Sequence, residues 1–219
     1  MRGSKLKARV ILMDLDGTIM DSKEAYLEAM KTAYHCMGKE SFEPEKAMEV
    51  PKRLEQGLPI DDIIKGIDAQ EFLRIYLDAY YKATAMKTKP FPDISDTLNM
   101  LSRKATLAVV TMRHVPKAVV MKELKRFGLA KYFAQVITAL DPCSPKPSPQ
   151  ALVECARRLG VKTSECVVVG DSVADVKAGK NAGTQTVAVL SGIFSREELE
   201  TEKPDLILEN VNELQDFLE

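Results

Sequence analysis

Ala8-Arg9-Val10-Ile11-Leu12-Met13-Asp14-Leu15-Asp16-Gly17-Thr18 is the stretch whose reading decides the fold. Residues 8–13 form a short apolar run rich in β-branched side chains, which reads as a buried parallel strand. Hydrophobicity then stops at two carboxylates two residues apart, followed by Gly17 and Thr18. In an open α/β sheet, ligands gather at the carboxyl ends of strands, so a site is expected here. A turn after Asp14 would let both acids border one pocket, with Gly17 free to take a positive φ. A divalent cation and a phosphate would make such close acids tolerable by offsetting their repulsion. Taken alone, the pair describes a solvated acidic turn at least as well, and the residues downstream decide between the two.

For some seventy residues the pattern turns helical. Asp21-Ser22 can cap a helix from about Lys23 to Met37, stopped by Gly38. Pro44 opens a second helix through about Leu54, Asp61 or Asp62 a short third one ending at Gly66, and Asp68 a fourth carrying Phe72, Leu73, Tyr76, Leu77 and Tyr80 at helical spacing. No strand-like alternation interrupts them, so residues 21–89 read as an all-helical insert. Lys89-Pro90-Phe91-Pro92 closes it with a stiff crossing.

A helix near Ile94–Arg103 follows, and strands then alternate with helices. The expected order is strand 106–111, helix 116–127, strand 135–138, helix 149–159, strand 166–169, helix 173–182 and strand 186–190. A weaker strand at 205–208 and a last helix, 211–218, end the chain. This rhythm implies right-handed crossovers and a Rossmann-like parallel sheet flanked by helices, an α/β core of residues 1–20 and 90–219.

The length, 219 residues, suits one α/β domain with an inserted module. Thirty-one basic residues against 32 acidic ones give a net charge of −1, which points away from nucleic acid and from disordered charged tails. Four scattered cysteines and two histidines give neither zinc spacing nor a disulfide framework. The polar start has no apolar signal core, and no run approaches bilayer length, so a cytoplasmic protein without membrane association is expected. Monomer and homodimer both remain open.

Three later strand ends bring polar residues to the edge that holds Asp14. Thr111 ends one and is followed by Met112-Arg113-His114. Lys146 precedes a helix start at Ser148-Pro149. Val167-Val168-Val169 runs into Gly170-Asp171-Ser172-Val173-Ala174-Asp175, where strand, glycine and acidic helix start coincide.

In that order these motifs resemble the haloacid dehalogenase superfamily of phosphohydrolases. Asp14-Leu15-Asp16-Gly17-Thr18 matches its first motif, Thr111 the second, Lys146 the third and 170–175 the fourth. The helical insert directly after the first motif resembles members with a C1-type cap, such as phosphoglycolate phosphatases and β-phosphoglucomutases. The resemblance implies Asp14 as nucleophile, forming an aspartyl-phosphate, and Asp16 as the acid and then base. It implies Mg2+ on Asp14, the Asp16 carbonyl and Asp171, with Asp175 in support. Thr111, the Met112 N–H and Lys146 would receive the phosphate of a small phosphorylated metabolite.

Arg113 is a further candidate for touching substrate. Lys52 and Arg53, in a stretch similar to the specificity loop of C1 caps, are candidates for a second anionic group, and the insert is expected to rock over the site. Asp16 argues for a phosphate ester, because dehalogenating members lack that acid. Tyr26 stands where mutase members carry a histidine, which lowers the phosphosugar mutase alternative. A receiver-like, phospho-accepting signalling domain is the alternative from another class. It would place its aspartate later in the chain and lack the insert.

Overall fold

The computed structural model describes residues 5–40, 42–44 and 46–219. The chain divides into two compact units, Asp21–Lys89 and the combination of Met1–Met20 with Pro90–Glu219.

The second of these is built on a six-stranded sheet: β1 Val10–Met13, β4 Thr106–Val110, β5 Phe133–Ile137, β6 Cys166–Gly170, β7 Gln185–Val189 and β8 Leu206–Leu208. Every neighbouring pair is parallel, in the order β5-β4-β1-β6-β7-β8. The chain thus moves outward from β1 in one direction and then in the other, and β1 stands at the point of reversal where open α/β sheets hold their ligands. Two further short strands, β2 Met20–Asp21 and β3 Lys89–Pro90, make a separate two-stranded sheet where the chain leaves and re-enters this unit.

All four residues of β1 are buried, as both faces of a central strand must be. On one face, Val10 and Leu12 pack with Ala108, Val110, Ile137 and Val168, and with Leu152, Cys155 and Ala156 of helix α6, Gln150–Arg158. Helices α4 Ile94–Ser102, α5 Lys117–Arg126, α7 Val173–Ala182 and α8 Arg196–Thr201 complete the layers. The cysteines are free, with Cys155 and Cys166 buried in the core as small apolar side chains.

The helical unit contains α1 Lys23–Cys36, α2 Lys46–Gln56 and α3 Ala69–Lys87. Its interior is aromatic: Tyr26 stacks on Tyr80 with centroids 5.1 Å apart, and Phe72 lies between Tyr34 and Tyr76. The Asp68 carboxylate caps α3 by accepting from the Glu71 N–H at 2.8 Å.

Several expected elements differ in the structure. Residues 61–67 make turns, not a third helix: so short a segment gains too few hydrogen bonds to nucleate one, and turns suffice to bury Ile63 and Ile64. The last helix is a 3-10 segment, Val211–Asp216, started by the Asn210 side chain accepting from the Asn212 N–H. Strand β5 begins two residues earlier than expected, at Phe133, and ends before Thr138, whose N–H donates to the Asp141 carboxylate instead of a ladder partner. Helix α2 is described from Lys46, since position 45 of the expected start lies outside the described residues; it tolerates Pro51 at the loss of one internal donor. Helix α8 was not expected, although Ser195 and Glu198 form a reciprocal cap around its first turn.

Leu12 is buried between α6 and the neighbouring strands. Leu12→Ala is expected to cost about 2–5 kcal/mol of unfolding free energy in urea titration, the range for an unrelaxed core cavity.

Candidate active site

Register carries the site. Met13 lies level with Val109 on one side and Val169 on the other, so Asp14 follows β1 at the level of Val110 and Gly170, the last residues of β4 and β6. Thr111 and Asp171 are each one residue further on. Backbone hydrogen bonds hold these ends in place: Asp14 N–H donates to the Val169 carbonyl at 2.9 Å and Thr111 N–H to Ile137 at 3.0 Å.

Asp14, Asp171 and Asp175 each bring a carboxylate oxygen within 4.8 Å of the others. Lys146 enters this group from the loop before α6. Its ammonium donates to Asp14 Oδ1 at 2.6 Å and Asp175 Oδ1 at 2.5 Å. Asp175 is set by the start of α7, where its Oδ2 accepts from the Ser172 N–H and hydroxyl while its own N–H donates to Ser172 Oγ. That reciprocal cap turns the other carboxylate oxygen toward Lys146.

Asp171 is placed by close packing. Gly17, at φ +79°, and Gly192 each lie so near its carboxylate that a Cβ on either would collide with it, and the Thr18 hydroxyl donates to Oδ1 at 3.3 Å. Gly170 is closed to a Cβ in the same way by Asp175. The Ser191 hydroxyl donates to the Gly17 carbonyl at 2.6 Å, tying the loop after β7 to the turn after β1. Ser191 and Gly192 escaped the sequence reading, though they follow a strand end on the same edge as Asp171.

Asp16 accepts both Nε of Arg113, at 2.6 Å, and Nη2, at 2.5 Å. Arg113 is buried, and its remaining terminal nitrogen reaches Glu123 on α5. The side chain expected to touch substrate is therefore engaged by two carboxylates of its own unit. Thr111 is buried beside Asp14's strand, and its Oγ accepts from the Arg113 N–H. Met112 links the two. In the helical unit, Arg53 is bidentate to Asp62 at 3.2 and 3.1 Å and also donates to the Pro59 carbonyl, while Lys52 lies 3.6 Å from Glu49. A cleft lined by Lys7, Arg9, Ser164 and Glu165 lies at the opposite, amino-terminal edge of the sheet, where the Arg9–Glu165 pair at 2.9 Å occupies it without any of these groups.

Burial pushes the Asp14 carboxyl up to about 7, with Asp175 and Asp16 adding to the rise and Lys146 opposing it. Burial also works against charge on Lys146, but Asp14 and Asp175 outweigh it and hold the ammonium protonated well above the ordinary lysine range. One ammonium facing three buried acids leaves an excess of negative charge. The donor set, all hard carboxylate oxygen held by glycines and caps, suits a small divalent cation at Asp14 and Asp171.

An open parallel sheet with an acidic cluster and a lysine at its central carboxyl edge defines an α/β protein whose candidate site lies where such folds hold their ligands. The family description of haloacid dehalogenase-like hydrolases matches residues 11–189, and the chain belongs to that family. Phosphoglycolate phosphatase of Aquifex aeolicus is 31% identical over 209 residues, covering 94% of each chain. Pyrophosphatase PpaX of Bacillus velezensis is also 31% identical, over 216 residues and 95% of each chain. A haloacid dehalogenase-like family hydrolase from Streptococcus pneumoniae shares the fold, with a TM-score of 0.82 at 20% identity, over 96% of this chain and 98% of that one. The protein is an enzyme, a hydrolase of the phosphatase kind. Among the described residues no helix is long and apolar enough to cross a membrane.

The folded Asp14 carboxyl titrates above the ordinary carboxylate value of 3.8. Between those two values the metal-free fold binds more protons than the unfolded chain, so its stability falls as pH rises. Thermal melts in EDTA should show a fall from about pH 5 to about pH 8 that Asp14→Asn reduces, and added MgCl2 should raise the melting temperature more at the higher pH.

Proposed function

We propose that the protein is a Mg2+-dependent phosphatase that hydrolyses a small phosphorylated metabolite through an aspartyl-phosphate, in the manner of the phosphoglycolate phosphatases it is similar to. One observation carries this reading: Asp14 lies at the central strand end with Lys146 on one oxygen, inside a cluster of three carboxylates fit for a divalent cation.

Asp14 attacks phosphorus, and the bond to the leaving oxygen breaks as Asp16 gives that oxygen a proton. Asp16 then takes a proton from water as the water attacks phosphorus, which releases phosphate and restores Asp14. Lys146, the Thr111 hydroxyl and the Met112 N–H receive the phosphoryl oxygens and keep them in line. Asp14, the Asp16 carbonyl and Asp171, supported by Asp175, would hold Mg2+, which when bound would supply positive charge to offset repulsion between an anionic nucleophile and an anionic substrate.

We assign this chemistry to residues 1–20 and 90–219, and substrate selection to the helical residues 21–89 acting as a cap. Arg53 braces the 59–62 segment through Asp62. Lys52 is accordingly the better candidate for a second anionic group, such as the carboxylate of phosphoglycolate. Tyr26, buried against Tyr80, offers no imidazole for the return transfer that a phosphosugar mutase needs, which speaks for hydrolysis. Pyrophosphate is the second substrate worth testing, because the Bacillus pyrophosphatase is as similar as the phosphoglycolate phosphatases.

Purified protein should release phosphate from phosphoglycolate or pyrophosphate with Mg2+, lose this in EDTA and regain it on adding the metal back. Asp14→Asn should fall to background while remaining folded by circular dichroism, and Asp16→Asn should lose about 10²–10⁴ in kcat. Undiminished turnover in Asp14→Asn would remove the assignment.

A further inference from the structure

Helix α5 has an oddity on its inner face. Val120 and Leu124 point into the core, and Glu123 shares their face and their burial, at 8% exposure. Its carboxylate meets Arg113, itself 3% exposed, whose other two guanidinium nitrogens hold both oxygens of Asp16. One cation thus stands between two carboxylates in the interior. Burying three charges with a net negative balance is costly, and apolar residues of similar volume at 113 and 123 would serve stability as well or better. The arrangement therefore calls for a use other than holding the fold together.

Geometry suggests that use. An aspartate on a turn can swing about χ1 and rotate its plane about χ2. A planar guanidinium contacting both oxygens restrains both motions, whereas a lysine would restrain only a point. Arg113 is in turn fixed along its whole length. Its N–H donates to Thr111 Oγ at 3.2 Å, its carbonyl accepts from Ala139 N–H at 3.1 Å, and its far nitrogen is anchored on Glu123. The same backbone that carries the phosphate-receiving Thr111 and Met112 therefore also sets the plane of Asp16.

Resting on the phosphatase reading above, we propose that Arg113 and Glu123 are positioning residues for the acid–base carboxylate. Arg113 holds Asp16 in one defined position and plane from which it turns to the leaving oxygen, and Glu123 orients Arg113. Glu123 also remains as the guanidinium's counter-charge when Asp16 turns to the substrate, so that no buried cation is stranded. Neither residue contacts the phosphoryl group.

The test compares kcat/KM for p-nitrophenyl phosphate, whose leaving group departs well without a proton, and for phosphoglycolate, an alkyl ester that needs one. This parameter covers steps up to phosphoryl transfer to Asp14 and so isolates leaving-group protonation. Arg113→Lys should lose about 30-fold or more on phosphoglycolate and less than about 5-fold on the aryl ester, a fraction of the full worth of a general acid. Glu123→Gln should lose about 5-fold with the same preference, and the double variant should be no more than about 2-fold worse than Arg113→Lys, because Glu123 acts through Arg113.

Equal losses on the two esters, or fully additive losses in the double variant, overturn the proposal. If Arg113→Lys fails to fold by thermal melt, Glu123→Gln decides alone by its ester preference. Wild-type protein that hydrolyses neither ester overturns the phosphatase reading itself, and this proposal with it; active wild type with indifferent variants overturns the proposal only.

Discussion

The structure depends on a balance of charge at one edge of its sheet. Asp14, Asp171 and Asp175 are buried side by side, and the Lys146 ammonium, donating to two of them, is the cation that makes their approach tolerable within the chain itself. Burial strengthens every such interaction and raises the cost of leaving any acid unmatched. Much of the surrounding architecture keeps these four groups in place. The reciprocal cap on α7 sets Asp175, and two glycines give Asp171 its room. The parallel register of β1 with β4 and β6 delivers Asp14 and Asp171 to the same level.

A second, separate charge system lies beside the first. Asp16 is not part of the lysine cluster; it belongs to Arg113 and, through it, to Glu123. Two acids two residues apart in the chain are thereby given different partners. The turn at Gly17, with its N–H donating to the Met20 carbonyl at 2.7 Å, is what lets the backbone part their side chains. The different roles proposed for them, attack on phosphorus and transfer of a proton, would call for such distinct surroundings.

Local signals were strong where a residue's type and its neighbours act together. Val10–Met13 could only be a buried strand, Asp68 declared its helix, and Gly170-Asp171 marked a strand giving way to an acidic helix start. They were weak where a segment was short. Residues 61–67 have capping acids and a terminal glycine, yet lack the length that would make a helix hold. Arg196–Thr201 is a helix whose six residues carry too little periodicity to announce it, and the Ser195–Glu198 cap was the only clue.

The order of Asp14, Thr111, Lys146 and Asp171 along the chain, each at the end of an apolar run or ahead of a helix, was enough to establish an α/β sheet with one acidic edge, because strand periodicity and capping are properties of neighbours in sequence. Which residues Arg113 would meet was beyond that reach. Asp16 lies 97 positions away from it and Glu123 ten, and an arginine after a strand end looks the same whether it faces solvent or two carboxylates. Only the folded chain, by packing the inner face of α5 against the loop after β4, could turn an expected substrate contact into an internal clamp on the acid.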